Sequence, residues 1–285
     1  MTNLAFDVAF RVAQAIEACG LTYLIGGSLA SSVSGEPRST IDIDIVVALT
    51  ETDIACLLEA LGSEFYADEA AILRAVRRRS SVNLIHQPTA IKIDLFVAGG
   101  TPLDKQQLAR RQRVQIGSSP ERSLYFHTPE DIFLQKLRWF RASGDASDRQ
   151  WRDVLGIAAV QADRLDWVYL REHSAALGVA DLVERVSLDQ QIRMAITNHR
   201  LLEVTYHGRT RIGEPHDYGV QKGIERLLFY QLRQVDGKRS TRPAWRLLTL
   251  AEIERCRVLE DTFPGSREGE HARHADWDQL FARVT

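Results

Sequence analysis

Two aspartates separated by one residue, Asp42 and Asp44, are the residues of this sequence best suited to chemistry. They alternate with isoleucines in the run Ile41-Asp42-Ile43-Asp44-Ile45. Successive side chains of a strand point to opposite faces, so this run predicts a strand with both carboxylates on one face and the isoleucines on the other. Neighbouring carboxylates on a half-buried strand need a cation or a raised pKa. A hard divalent ion such as Mg²⁺, which prefers oxygen ligands, meets that need.

A third carboxylate, Asp94, lies in a second apolar run at residues 90–97. The strand period places it on the face opposite Ile93 and Leu95. We expect this strand to neighbour the first and to bring Asp94 to the other two acids. The plainer alternative is that Asp94 pairs with Lys92 on a solvated surface.

A glycine turn precedes the acids. Tyr23-Leu24-Ile25 predicts a short strand that leads into Gly26, Gly27 and Ser28. Glycine lets the backbone approach a bulky anion closely, and Ser28 stands where a helix is expected to begin. This turn suits a phosphate, although Ser28 could equally cap the helix. Three carboxylates and a phosphate-binding turn together indicate phosphoryl transfer with two metal ions.

The Gly-Gly-Ser turn, the Asp-x-Asp strand and the later strand with one aspartate resemble the polymerase-beta-like nucleotidyltransferase superfamily. Gly35, Arg38, Thr40 and the run 42–45 most resemble its bacterial group of AbiEii-type toxins. The resemblance covers about the first two thirds of the chain. It implies an α+β fold with a mixed sheet, an NTP substrate and a site with two Mg²⁺ ions.

The same resemblance assigns roles to residues. It implies that three carboxylates are both catalytic and metal-binding, namely Asp42, Asp44 and Asp94. It implies that Gly27, Ser28, Arg38 and Thr40 bind substrate. Gly27 and Ser28 would bind the terminal phosphates, and Arg38 would offset their charge.

A helix predicted over residues 130–142 follows the capping sequence Thr128-Pro129-Glu130-Asp131 and contains Lys136. In the relatives a lysine and a later aspartate behind the sheet belong to the active site. By position these are Lys136, as a catalytic residue, and either Asp148 or Asp153, of which Asp148 is taken as a substrate-binding residue. The alternatives are that Lys136 is a surface residue of an amphipathic helix and that Asp148 caps the next helix.

The C-terminal third has a different pattern. Short alternating runs with turns at His207-Gly208 and Asp236-Gly237 predict a small curled barrel. Parts of residues 192–206, 208–219 and 245–247 resemble the WYL family of ligand-sensing domains, although the Trp-Tyr-Leu tripeptide itself is missing. We therefore expect a nucleotidyltransferase domain with a helical appendage at residues 1–187. A WYL-like domain, an SH3/Sm-like β-barrel, is expected at residues 188–285.

Composition limits the class of protein. The chain has 285 residues, 45% hydrophobic and 26% charged, with a net charge of -2, as expected for a globular protein that is not basic throughout. Residues 190–246 are nevertheless basic, with eleven Lys and Arg against five Asp and Glu. Interleaved aromatic residues there are compatible with single-stranded nucleic acid or with a barrel core.

Three scattered cysteines, Cys19, Cys56 and Cys256, form no Cys-x-x-Cys pair, which predicts reduced thiols and no zinc site. No signal peptide or membrane span is expected, and we therefore predict a cytoplasmic protein without a membrane partner.

The resemblance to the nucleotidyltransferase superfamily implies an enzyme that transfers a nucleoside monophosphate from an NTP to a hydroxyl of RNA, such as tRNA, or of a protein. Such an enzyme could act as a toxin of a toxin-antitoxin or phage-defence system, with a cognate antitoxin as a further partner. The alternative is a regulator whose WYL-like domain senses a nucleotide or nucleic acid without catalysis.

Overall fold

The computed structural model describes residues 4–117, 122–235, 242–267 and 276–285. The chain forms two compact units, Met1–Val183 and Glu184–Thr285. The predicted boundary after residue 187 falls inside the helix Ala180–Thr197. The assignment of each unit to a domain family stays a prediction.

The first unit is built on a seven-stranded mixed sheet. Its strands are β1 Tyr23–Ile25, β2 Ile43–Val47, β3 Phe65–Tyr66, β4 Ser81–His86, β5 Ile91–Val97, β6 Gln112–Gln115 and β7 Ser123–Phe126. The order across the sheet is β3-β4-β5-β2-β1-β7-β6. The pairs β2–β5 and β1–β7 are parallel and the other pairs are antiparallel. The predicted α+β class with a mixed sheet is confirmed.

Helices accompany this sheet. They are α1 Leu4–Ala18, α2 Gly27–Ser34, α3 Ile54–Leu61, α4 Glu69–Arg78, α5 Pro102–Arg110, α6 Pro129–Ala142, α7 Asp148–Gln161 and α8 Trp167–Ser174. The helix α9, Ala180–Thr197, runs across the boundary between the units. Local sequence explains several starts: Thr128 caps α6 by accepting a hydrogen bond from the Asp131 backbone N–H, with Pro129 at the first helical position.

The structure corrects the prediction that all three cysteines are reduced thiols. Cys19, just beyond α1, and Cys56, on α3, form a disulfide, so the prediction of reduced thiols is wrong for these two residues. Cys256 is a free cysteine, as predicted. The pairing depends on the packing of α1 against α3, which a separation of 37 residues does not reveal.

The second unit contains a six-stranded antiparallel sheet. Its strands are β8 Arg200–Tyr206, β9 Arg209–Gln221, β10 Ile224–Gln234, β11 Ala244–Thr249, β12 Ile253–Thr262 and β13 Gln279–Arg283. The order is β11-β10-β9-β8-β12, and β13 pairs with the second half of β9. Within the described residues the edge strands β11 and β12 do not pair with each other, so the predicted closed SH3/Sm-like barrel is not found. Alternating sequence predicts strands, but closure depends on edge pairing that it does not encode.

The aromatic residues predicted either to contact nucleic acid or to fill a core differ in how deeply they are buried. Tyr218, Phe229 and Tyr230 are buried, whereas Tyr206 and Trp245 are half-buried. The predicted turn at Asp236-Gly237 lies outside the described residues. In the described residues, no helix combines the length and apolar character needed to cross a membrane.

His127, directly after β7, gives the first unit an expected dependence on pH. Its side chain is 5% exposed, and Nδ1 has no hydrogen-bond partner among the described residues. Burial lowers the pKa of His127 to about 4. In the unfolded chain the ordinary value is about 6.5, so the unfolded state binds the proton first as the pH falls.

We therefore expect His127 to cost the fold about 3 kcal/mol between pH 6.5 and 4, with stability lost as the pH falls through this window. Urea unfolding at several pH values measures this loss. His127→Gln should flatten the profile, and His207→Gln, at an exposed histidine, should not. An unchanged profile in His127→Gln would contradict the assignment.

Candidate active site

Two strands bring the central acids together. β2 and β5 are parallel, and Asp44 pairs in register with Asp94. Paired residues on neighbouring strands project from the same face, so the two carboxylates are adjacent. Asn83 on β4 continues this row beyond Asp94.

The third predicted acid does not lie in the strand. β2 begins at Ile43, and Asp42 and Ile41 precede it. The expected burial of Ile41 is therefore wrong, because its side chain is 74% exposed. Asp42 is also exposed, and its backbone N–H donates to Thr40 Oγ1 at 3.2 Å. Thr40 thus shapes the approach to the strand.

Burial and repulsion act on Asp44. Burial raises the pKa of this carboxyl, and the charge of Asp94 raises it further. The charge of Lys136 and a hydrogen bond from the Ser28 backbone N–H act in the opposite direction without cancelling the shift. The site therefore disfavours a bare carboxylate at Asp44 and favours a cation beside it.

Basic side chains hold the two outer acids. Lys92 Nζ lies 3.0 Å from Asp94 Oδ2, and Arg149 Nη2 lies 3.4 Å from Asp42 Oδ2. The hydrogen bond to Asp94 raises the pKa of Lys92. The contact between Lys92 and Asp94 that the plainer alternative predicts is therefore present, together with the register that places Asp94 beside Asp44.

The glycine turn packs directly on the acids. Gly27 has φ +55°, and a Cβ at this position would overlap the carboxylate of Asp44, so only glycine fits. The Gly26 backbone N–H donates to the Asp44 carbonyl at 2.8 Å. Ser28 Oγ accepts hydrogen bonds from Arg38 Nη2 at 2.6 Å and from Arg149 Nη2 at 2.8 Å. The hydroxyl of Ser28 thus binds two guanidinium groups beside a helix N-terminus.

Asp153 on α7 joins the basic residues of the site. Arg38 binds it through Nε at 2.9 Å and Nη2 at 3.1 Å, and Lys136 Nζ lies 2.8 Å from Oδ2. Ser31 Oγ also donates to Asp153, at 3.3 Å. Burial acts to raise the pKa of Asp153, but the bonds from Arg38 and Lys136 outweigh it and the pKa lies below its ordinary value. For Lys136, burial outweighs the bond to Asp153 and lowers the pKa.

The structure chooses between the two candidate aspartates by position. Asp148 is the first residue of α7 and is exposed, and Ser147 caps this helix by accepting from the Gln150 backbone N–H. The contacts with Lys136 and Arg38 belong to Asp153, five residues later. Asp148 is therefore not brought to the group of predicted site residues, and the substrate-binding role first given to it passes to Asp153 as a prediction.

Sequence reasoning missed two site residues, Arg149 and Lys92. Arg149 stands in a polar loop-to-helix segment, and the sequence alone assigns it no role. Lys92 did carry one, since it precedes Asp94 by two residues in a strand and must share its face. The sequence pattern assigns it only as a surface partner of Asp94.

The carboxylates of the site decide whether it can bind a metal ion. Among the residues that the structure describes, no group of three or more His, Cys, Asp and Glu side chains is arranged to hold a metal. In the part of the chain that the structure describes, Arg149 contacts Asp42 and Lys92 contacts Asp94, and the three carboxylates predicted to hold two ions do not form one cluster. Asp44 and Asp94 in register still offer the oxygen donors and the unbalanced charge that suit a hard divalent ion.

No family model and no curated protein matches the chain. Its fold is similar to an antigenic nucleotidyltransferase-like protein from Paracoccidioides brasiliensis, with 16% identity and a TM-score of 0.37 over 54% of this chain and 75% of that one. It is similar to the antibiotic-resistance factor ANT(2'')-Ia in solution, with 13% identity and a TM-score of 0.41 over 66% and 97% of the two chains. The crystal structure of ANT(2'')-Ia with adenylyl-2''-tobramycin gives 13% identity and 0.40 over 67% and 98%.

Proposed function

We propose that this protein is a nucleotidyltransferase that moves a nucleoside monophosphate from an NTP to a hydroxyl. The observation that carries the proposal is the in-register pair Asp44 and Asp94 beside the Gly27-Ser28 turn. Anions bind well at helix N-termini flanked by basic side chains, and paired carboxylates beside such a site suit phosphoryl transfer.

The residues divide into two groups. The N-terminus of α2 at Gly27 and Ser28, with Arg38 and Arg149 on the Ser28 hydroxyl, would bind the triphosphate. Lys136 adds a buried positive charge near Asp44. Asp44 and Asp94, joined by Asp42 once it is released from Arg149, would hold Mg²⁺, which when bound supplies Lewis-acid stabilisation of charge on the phosphate oxygens.

The transfer forms a bond between the acceptor oxygen and the α-phosphorus and breaks the bond from that phosphorus to the bridging oxygen of the β-phosphate. Pyrophosphate leaves with the electrons of the broken bond. Asp94 favours removal of the proton of the acceptor hydroxyl, because a carboxylate near the attacking oxygen can accept it. Arg38 and Arg149 offset the charge on the leaving group.

We further propose RNA, such as tRNA, or a protein as the acceptor. We propose that the enzyme acts as a toxin restrained by an antitoxin. Expression of the protein tests this role. Expression should then stop growth only while the three acids are intact.

The deciding experiment incubates the purified chain with Mg²⁺, each labelled NTP in turn, and total cellular RNA and protein. Label should enter RNA or protein, disappear in Asp42→Asn, and persist in Asp148→Asn, a matched change at an exposed aspartate. Absence of transfer with every NTP, together with measurable binding of nucleotide or RNA, would favour the non-catalytic regulator.

Arg149 supplies a separate prediction. Arg149→Gln should raise the KM for NTP about tenfold with little change in stability, since a charge-assisted bond to the triphosphate is lost from an exposed side chain. Arg152→Gln, an exposed arginine on the same helix, is the control. Titration with a fluorescent ATP analogue checks binding independently. Equal affinities in both variants would remove Arg149 from the binding site.

A further inference from the structure

Lys92 occupies a position that the proposed reaction needs for a metal ion. Lys92 and Asp94 share one face of β5, and Nζ lies 3.0 Å from Oδ2. The next strand offers Ile85 opposite Lys92 and Asn83 opposite Asp94, and both are exposed. The ammonium group therefore lies on an open part of the sheet face, beside the row formed by Asp44 and Asp94.

The strength of this ion pair matters for what it can do. The side chains are 53% exposed for Lys92 and 24% exposed for Asp94. Ion pairs in such solvated settings change an equilibrium constant by a factor of only about 1.4 to 5, so this pair is short but readily exchanged. It contrasts with Lys136 and Asp153, whose side chains are 3% and 6% exposed.

A divalent ion bound to Asp94 would compete with this lysine. The ammonium group already lies against one of the two carboxylate oxygens, and like charges only a few ångströms apart repel. Binding of the ion therefore requires Lys92 to leave Asp94. Its four-carbon stem allows this without movement of the strand.

We propose that Lys92 is a positioning residue that acts through Asp94: it serves as an exchangeable counter-cation of the acidic pair and weakens the binding of a divalent ion until nucleotide is present. In the metal-free chain it offsets the repulsion between Asp44 and Asp94 and keeps the Asp94 carboxylate beside its neighbour. A triphosphate carries its own metal ion and added negative charge, so its arrival favours the exchange. This inference rests on the proposed function, because it takes Asp44 and Asp94 as metal ligands.

The test measures metal binding without nucleotide or acceptor. Free Mn²⁺ is quantified by electron paramagnetic resonance as it is titrated into the full-length chain. Lys92→Gln should bind Mn²⁺ about threefold more tightly, since the competing pair is worth a factor of about 1.4 to 5. Lys92→Arg should restore the wild-type affinity. Lys105→Gln, a change at an exposed lysine on α5, should leave it unchanged.

A double-mutant comparison shows whether Lys92 acts through Asp94. Lys92→Gln should tighten Mn²⁺ binding in the wild-type background but not in Asp94→Asn. Equal affinity of Lys92→Gln and wild type, the same gain in both backgrounds, or no Mn²⁺ binding by any variant would overturn the inference. Nucleotide transfer is scored separately, so an active enzyme with unchanged Mn²⁺ affinity rejects this role alone.

Discussion

Asp44→Asn is expected to lower the rate of nucleotide transfer roughly a thousandfold and to make the folded chain more stable. The loss follows from removal of a charged ligand, because the charge stabilisation that a bound metal supplies is worth several kcal/mol. The gain follows from the burial of Asp44 and its position opposite Asp94, which together raise its pKa. Like charges on directly opposed strand positions destabilise a sheet by about 0.5 kcal/mol or more.

The pH dependence separates these two effects. A carboxyl whose pKa is raised by folding holds its proton longer in the native state, so the wild-type chain loses stability as the pH rises above the ordinary pKa of Asp. Urea unfolding in EDTA should show Asp44→Asn to be more stable at neutral pH, with the difference vanishing in acid where Asp44 is protonated in both states. Asp148→Asn should show neither the gain nor the loss of transfer. A variant less stable than wild type at neutral pH would contradict the electrostatic account.

Asp94 and Asp42 show how much of the site can be predicted from sequence. The strand period alone places Asp94 opposite its apolar neighbours, and β5 has that pattern of burial. The same period fails at Ile41 because β2 begins two residues later, and a pattern that fits a strand does not fix where pairing starts. Asp42 therefore lies on the approach to the strand, where Arg149 reaches it.

The choice between Asp148 and Asp153 required the structure for a different reason. A helix turns 100° per residue, so two positions five apart face directions about 140° apart. The sequence predicts that a helix follows the loop, but not its rotation against α2 and α6. The disulfide between Cys19 and Cys56 and the unclosed sheet of the second unit likewise depend on packing between distant segments.

Asp153→Asn is expected to destabilise the first unit by about 3 kcal/mol. The change leaves the ammonium of Lys136 without its paired carboxylate and replaces one of the two oxygens that accept from Arg38 by an amide donor. Breaking one side of a buried ion pair typically costs 3 to 5 kcal/mol, whereas removing both charges costs much less. Lys136→Met combined with Asp153→Asn should therefore be more stable than Asp153→Asn alone, as measured by urea unfolding.

The same variants link the stability of the first unit to the ionisation of Asp44. Lys136 pairs with Asp153, and its charge also opposes the rise in the pKa of Asp44. If both relations hold, Lys136→Met raises the pKa of Asp44 further, so less of this residue is ionised at a given pH. The free energies of Asp153→Asn and Lys136→Met should be strongly non-additive, and strict additivity would show that the two residues do not share one network. The buried pair would then be a packing contact only, and Lys136 would have to act on the acids independently of Asp153.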